Sequence, residues 1–189
     1  MNTIDTILER RSAKGLTDPA PDAGALELLL ECASRAPDHG RLRPWRFIVI
    51  RGAARERLGE LMAEQLRRKL PAASAEALQR ERQKALRAPL IIVIAAVCDL
   101  AARIPAIEQI LAAGAAAQNI MLAAPALGFG AMWKTGDAAY DETVKAALGL
   151  EARDAIVGFL YLGTAPADGV LPRARADWRD RVSYWREDG

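Results

Sequence analysis

Three short stretches of this chain carry side chains able to recognise a flat, anionic ligand. Arg10, Arg11 and Ser12 set two guanidinium groups beside a hydroxyl near the N-terminus. Guanidinium forks grip phosphate bidentately, and a hydroxyl adds a further donor. Arg35 and His39 stand at and in a loop that also holds Pro37, Pro44, Trp45, Arg41 and Arg43. Trp133, Lys134 and Thr135 follow a glycine-rich turn, Gly128–Gly130. An indole, an ammonium and a hydroxyl suit a planar ring system with negative charge. Each stretch alone has a plainer explanation: basic residues capping a helix end, a loop histidine bonded to backbone, an edge-strand aromatic with a solvated lysine. His39 is the only histidine, and no serine or cysteine motif gives it a nucleophile to activate. Cys32 and Cys98 lack metal-ligand spacing, so no zinc site is expected.

The elements that must position these groups are legible from periodicity. Ile4, Ile7 and Leu8 give a first helix over Thr3–Arg10. Asp22 caps a second that runs to about Ala36 on Leu26, Leu29, Leu30 and Ala33. Pro37 and Pro44 stiffen the loop that follows and exclude helix there. A strand over Phe47–Ile50 comes next, then two charged helices over Ala53–Leu70 and Ser74–Leu86. Pro89–Val97 is apolar throughout, a strand buried on both faces. Pro105 opens a long, alanine-rich helix that Pro125 kinks or ends. Apolar almost all round, it belongs in a core or a subunit interface. Leu127–Gly136 reads as a turn and a short strand, Asp141–Leu148 as a capped helix, Ala155–Leu162 as a strand. From Thr164 on, proline, charge and a late aromatic patch over Val182–Trp185 make a tail with no core of its own. This order predicts an α+β, three-layer fold with a mixed sheet. No Gly-x-Gly-x-x-Gly turn follows the first strand, which disfavours a Rossmann fold.

The bulk numbers narrow the classes. A chain of 189 residues, 51% hydrophobic and 26% charged, fits one domain with a sizeable core. Lys and Arg number 26 against 24 Asp and Glu, a net charge of +2, too little to argue for nucleic acid or an acidic membrane surface. Glutamates interleave with the arginines of Ala53–Leu70, as on a solvated helix face. The N-terminus has no apolar signal-peptide core, and Ile91–Val97 is too short to cross a bilayer. A cytoplasmic protein is expected.

Four motifs occur together and in order: Glu-Arg-Arg-Ser near the N-terminus, Arg-Ala-Pro-Asp-His with Pro-Trp-Arg-Phe, Gly-Phe-Gly-Ala-Met-Trp-Lys-Thr-Gly, and Ile-Val-Gly-Phe-Leu-Tyr-Leu-Gly-Thr. In this combination the chain resembles the nitroreductase family of FMN-dependent flavoproteins, its small members in particular. The resemblance covers the chain up to Pro166. It implies a mostly antiparallel central sheet flanked by helices, one FMN-binding domain over 1–166, and a C-terminal extension over 167–189 that packs on a dimer partner. It implies a homodimer with flavin at the interface and the helix from Pro105 at its centre. Arg10, Arg11 and Ser12 are then expected to hold the phosphate, ribityl chain and pyrimidine edge of FMN. Arg35 and His39 contact it, His39 from the neighbouring subunit's side, while Trp133, Lys134 and Thr135 complete the pocket. The implied activity is hydride transfer from NAD(P)H to a nitroaromatic or quinone-like acceptor in a ping-pong cycle. No protein acid or base is needed, since flavin N5 carries the chemistry. Two readings stay open beside it: a non-catalytic flavin- or nucleotide-binding module, and a family member with a dedicated non-nitro acceptor. The chain departs from the family pattern at Asp38, Arg41 and Arg43, which stand at positions of Ser, Asn and Gln. Lys14 matches a lysine of larger members, and Arg173 and Arg175 are further candidates for the phosphate.

Overall fold

The structure, a computed structural model, describes residues 2–172 and 177–185. Its elements follow the apolar periodicities closely. They are α1 (Thr3–Glu9), α2 (Ala23–Ala33), β1 (Trp45–Arg51), α3 (Ala54–Lys69), α4 (Ala75–Lys84), β2 (Leu90–Ala96), α5 (Ala106–Ala126), β3 (Gly130–Lys134), α6 (Glu142–Ala147) and β4 (Ala155–Gly163). The starts of α2 and α6 are set by side chains. Asp22 accepts the Ala25 N–H at 2.8 Å, and Asp141 accepts the Val144 N–H at 2.9 Å. α5 ends one residue after Pro125.

The sheet has the order β1-β2-β4-β3. All three pairings are antiparallel, where the sequence predicts a mixed sheet. The reason lies in the topology. β2 and β3 run the same way, but β4 inserts between them, so no two neighbours are parallel. β2, central and apolar throughout, is buried along its whole length.

Alternation along the strands divides the interior into two cores. Ile91, Val93, Phe159, Tyr161 and Met132 face the layer of α3, α4 and α6. Ile92, Ile94, Leu160, Leu162 and Ala131 face α2 and α5. The result is a helix–sheet–helix sandwich of three layers. Asn119 on α5 donates to the Cys32 carbonyl of α2 at 2.9 Å and ties the second helical layer together.

The segment between α1 and α2 is stitched in place by backbone bonds. The Ala13 N–H donates to the Ala131 carbonyl of β3 at 3.0 Å. On its other side the Lys14 N–H donates to Gly169 at 2.7 Å, and the Leu171 N–H donates to Ser12 at 2.9 Å. Residues 164–171 therefore lie against their own chain.

Two surfaces stay uncovered. On α1, Ile4 and Leu8 are 63% and 62% exposed, and no residue of that helix is buried. On α5, Ile107 and Leu111 are 60% and 63% exposed. Trp178, Tyr184 and Trp185 of the tail are also exposed. Among the described residues no helix is long and apolar enough to cross a membrane.

Candidate active site

Because residues 12–17 are anchored through their backbone, their side chains are free to line cavities beside β3. A cleft of about 450 Å³ opens there, walled by Lys14 and Leu16 on one side, Met132 and Lys134 on β3, Tyr161 on β4, and Arg87 from the turn after α4. Met132 pairs with Tyr161 across the two strands, and Lys134 with Phe159, so all four side chains share the face toward α3 and α4. A second chamber of about 400 Å³ adjoins it and shares Arg87, Lys134 and Tyr161. Gln65, Thr135 and Gly136 contribute to that chamber.

The charge balance of this cleft is one-sided. Among the described residues no carboxylate lines the first chamber. Glu81 and Asp137 reach the second, but each is already paired, Glu81 with Lys84 at 2.5 Å and Asp137 with Lys69 at 2.6 Å. Among the described residues, Lys14, Arg87 and Lys134 have no acidic partner. Burial of Tyr161 pushes its phenol up to about 12, with Arg87 pulling weakly the other way. The hydroxyl stays protonated at neutral pH and can donate to a ligand. The site thus offers three cations and a phenolic donor over an apolar floor.

Arg10 and Arg11 line a separate cavity of about 320 Å³ between the end of α1, the end of α5 and β3. Ala13 is a wall common to that cavity and the cleft, so residues 10–16 run past both. Glu9 is also on its lining.

Comparison with known proteins identifies the family. The chain matches the Nitroreductase family over residues 7–164. The chain belongs to the nitroreductase family. It is 39% identical to an Escherichia coli (strain K12) protein named "Putative NAD(P)H nitroreductase YdjA" over 165 residues, 87% of this chain and 88% of that protein. A nitroreductase-like family protein from Bacillus cereus superposes with a TM-score of 0.81 at 28% identity, covering 98% of this chain and 96% of that one. A nitroreductase-type protein from Desulfovibrio desulfuricans, solved in complex with FMN, gives a TM-score of 0.75 at 27% identity and covers 98% of both chains.

Within this family member the residues singled out from sequence separate into groups. Arg10, Arg11, Ser12, Lys14, Lys134 and Thr135 gather around β3 and the segment beside it. Trp133 does not join them. Successive strand residues point to opposite faces, and its indole lies on the α5 side, donating from Nε1 to the Val157 carbonyl at 3.2 Å. The common pocket expected of Trp133 and Lys134 is therefore split by strand alternation. Gly158 makes room for the indole, since a Cβ there would lie 2.1 Å from Nε1.

Arg35 and His39 line neither chamber. Arg35 pairs with Glu31 one turn back at 3.3 Å. His39 Nδ1 lies 2.6 Å from Glu108 Oε2, in the first turn of α5. A carboxylate only accepts, so in this contact Nδ1 is the donor. Arg41 and Arg43 have left-handed backbone, φ 56° and 50°, each costing about 1–3 kcal/mol for a non-glycine residue. The Asp38 carboxylate braces this loop by accepting the Arg43 N–H at 2.7 Å. Arg173 and Arg175 lie outside the described residues.

Sequence reasoning missed Arg87, Tyr161 and Met132. Met132 and Tyr161 lie inside two of the motifs quoted above, where neighbouring residues drew the chemical reading, and Arg87 lies in none. Tyr161 is embedded in an apolar strand and Arg87 just precedes β2. Only the pairing of β4 with both β2 and β3 brings them to Lys134.

Proposed function

We propose that this protein is an FMN-dependent oxidoreductase that takes hydride from NADH or NADPH and delivers it to a nitroaromatic or quinone-like acceptor. The observation that carries this reading is the cleft of Lys14, Arg87 and Lys134 over Leu16, Met132 and Tyr161, which among the described residues holds no carboxylate. These residues fit the cofactor. A flavin ring is flat and largely apolar, its carbonyl edge accepts hydrogen bonds, and it gains negative charge on reduction. The cleft has a matching floor, donors and positive charge without competing anions.

When bound, FMN supplies the hydride-accepting N5. The chain's own groups bind and orient. Arg10, Arg11 and Ser12 hold the phosphate, as guanidinium forks and a hydroxyl suit that dianion. Lys14, Lys134 and Arg87 would hold the carbonyl-bearing edge of the ring, where fixed cations would stabilise negative charge without having to reorganise. Thr135 and the neutral Tyr161 hydroxyl add donors. Trp133 acts from the other face by holding the strand that carries Lys134. No side chain need take part as acid or base, so reductant and acceptor can use the same open face of the ring in turn.

The functional unit in this reading is a homodimer. The exposed apolar residues of α1 and α5 form its interface, and Trp178, Tyr184 and Trp185 lie across the partner. Arg35 and His39 then reach the cleft of the neighbouring copy, with Glu108 holding the imidazole. The free thiols of Cys32 and Cys98 and the nicotinamide reductant suit the reducing cytoplasm.

The test is the visible spectrum of the purified protein, before and after anaerobic NADPH or NADH, followed by a nitroaromatic or quinone. The expected result is a flavin band that bleaches with reductant and returns with acceptor. A colourless protein that also fails to take up added FMN overturns the proposal. So does a flavin band that neither nucleotide bleaches, which would leave a flavin-binding module.

A further inference from the structure

Positive charge that the proposed chemistry leaves unused is concentrated at the start of β1. Arg43 and Arg46 line one cavity of about 430 Å³ together with Trp45, Cys98, Asp99 and Arg153. That volume is in the range of small-molecule sites. One carboxylate, Asp99, lines this cavity against three arginines. Asp99 Oδ1 accepts the Ala101 N–H at 2.9 Å, and Glu151 pairs with Arg153 at 3.0 Å. Among the described residues Arg43 and Arg46 have no acidic partner. Arg43 is moreover held in left-handed backbone, φ 50°, with Asp38 bracing its N–H at 2.7 Å. A strained arginine kept in place by a carboxylate behind it, beside a second free arginine and an indole, makes a receptor for an anion on a flat ring system.

We propose that this cavity receives the 2′-phosphate of NADPH, and that Arg43 and Arg46 thereby make NADPH the preferred reductant over NADH. This rests on the oxidoreductase reading above, in which His39, four residues before Arg43, reaches the cleft of the neighbouring copy. The nicotinamide and the 2′-phosphate belong to opposite halves of the dinucleotide, so the phosphate needs a site apart from the cleft, and Arg43 and Arg46 line a cavity that shares no residue with it. NADH presents a ribose hydroxyl where NADPH carries a dianion. Two guanidinium groups discriminate between them because only the dianion can satisfy their bidentate geometry.

The experiment is anaerobic stopped-flow reduction of the flavin-loaded protein by NADPH and by NADH, in the wild type and in R46Q and R43G. Glycine adopts a φ of 50° freely, so R43G removes the guanidinium without disturbing the loop. The wild type is expected to bind NADPH about tenfold or more tightly than NADH, the value of one charge-assisted hydrogen bond. Each variant is expected to lose most of that preference with its NADH constants unchanged. Equal constants for the two reductants in the wild type, or a preference that survives in both variants, overturns the proposal. As a second arm, 2′-AMP competes with NADPH in the wild type and not in R46Q. Inorganic phosphate or 5′-AMP competing equally well assigns the cavity to anions in general and also overturns it. Should neither nucleotide bleach the flavin, the oxidoreductase reading fails. Calorimetric titration with 2′-AMP then still decides the cavity: binding lost in R46Q upholds the phosphate site, and no binding to the wild type removes it.

Discussion

Replacing Gly158 by alanine probes the packing that fixes Lys134 in the cleft. An alanine Cβ would lie 2.1 Å from Trp133 Nε1, 2.7 Å from its Cδ1 and 3.1 Å from the Lys134 carbonyl oxygen. Two of these atoms belong to a ring that cannot bend away, and the third is backbone. The indole must swing out, breaking its 3.2 Å hydrogen bond to the Val157 carbonyl. Losing that bond costs about 1 kcal/mol, and forcing a methyl into a filled core costs about 1–3 kcal/mol more. The sum, about 2–4 kcal/mol, corresponds to a Tm lowered by about 4–16 °C for a chain of this length. Urea unfolding followed by tryptophan fluorescence and circular dichroism, at one fixed FMN concentration, measures it. The assignment to the indole is checked in a Trp133→Leu background, where the clashing atoms are gone and Gly158→Ala should cost under about 1 kcal/mol. A G158A protein within about 0.5 kcal/mol of wild type would refute the reasoning, as would an equal cost in both backgrounds.

Three further outcomes are expected. The double variant Arg10→Ala, Arg11→Ala should lose FMN on gel filtration, and full flavin occupancy after that step would count against the phosphate assignment. Tyr161 titrates near 12 when folded against 10.0 as its reference, so the folded state favours the neutral phenol. That contribution is complete below pH 10 and is lost as the pH rises toward 12, for a total of about 2–3 kcal/mol. Unfolding free energies at pH 8 and pH 11 should diverge in the wild type and much less in Tyr161→Phe, and parallel curves would remove the effect. A chain ending after Pro172 keeps the bonds of Gly169 and Leu171 to the N-terminal segment but loses the aromatic tail. It should dissociate at higher concentration than the full chain in sedimentation experiments, and an unchanged dimer would dismiss the wrapping tail.

Much of the architecture was written locally. Caps at Asp22 and Asp141, the stop at Pro125 and the uniformly apolar run of β2 each follow from the physics of a few adjacent residues. The parallel strands expected within a mixed sheet did not follow, because strand order depends on which edge a distant strand chooses. β4 takes the place between β2 and β3, and nothing in the sequence of β2 or β3 says so.

The same division holds at the site. The amino-acid sequence by itself determined the element types, the two-faced burial of β2, the run of two guanidinium groups and a hydroxyl over Arg10–Ser12 and the presence of Lys134 on a short strand. Only the tertiary structure decided that Trp133 and Lys134 serve opposite faces, since a pleat separates neighbours that look joined in one dimension. It also decided that Arg87 and Tyr161, 74 positions apart in sequence, meet across the sheet at Lys134. A cation gains meaning from the absence of acids around it, and that absence is a property of the assembled surface: 26 basic residues are spread along the chain, but among the described residues the fold leaves this cleft with no carboxylate on its wall.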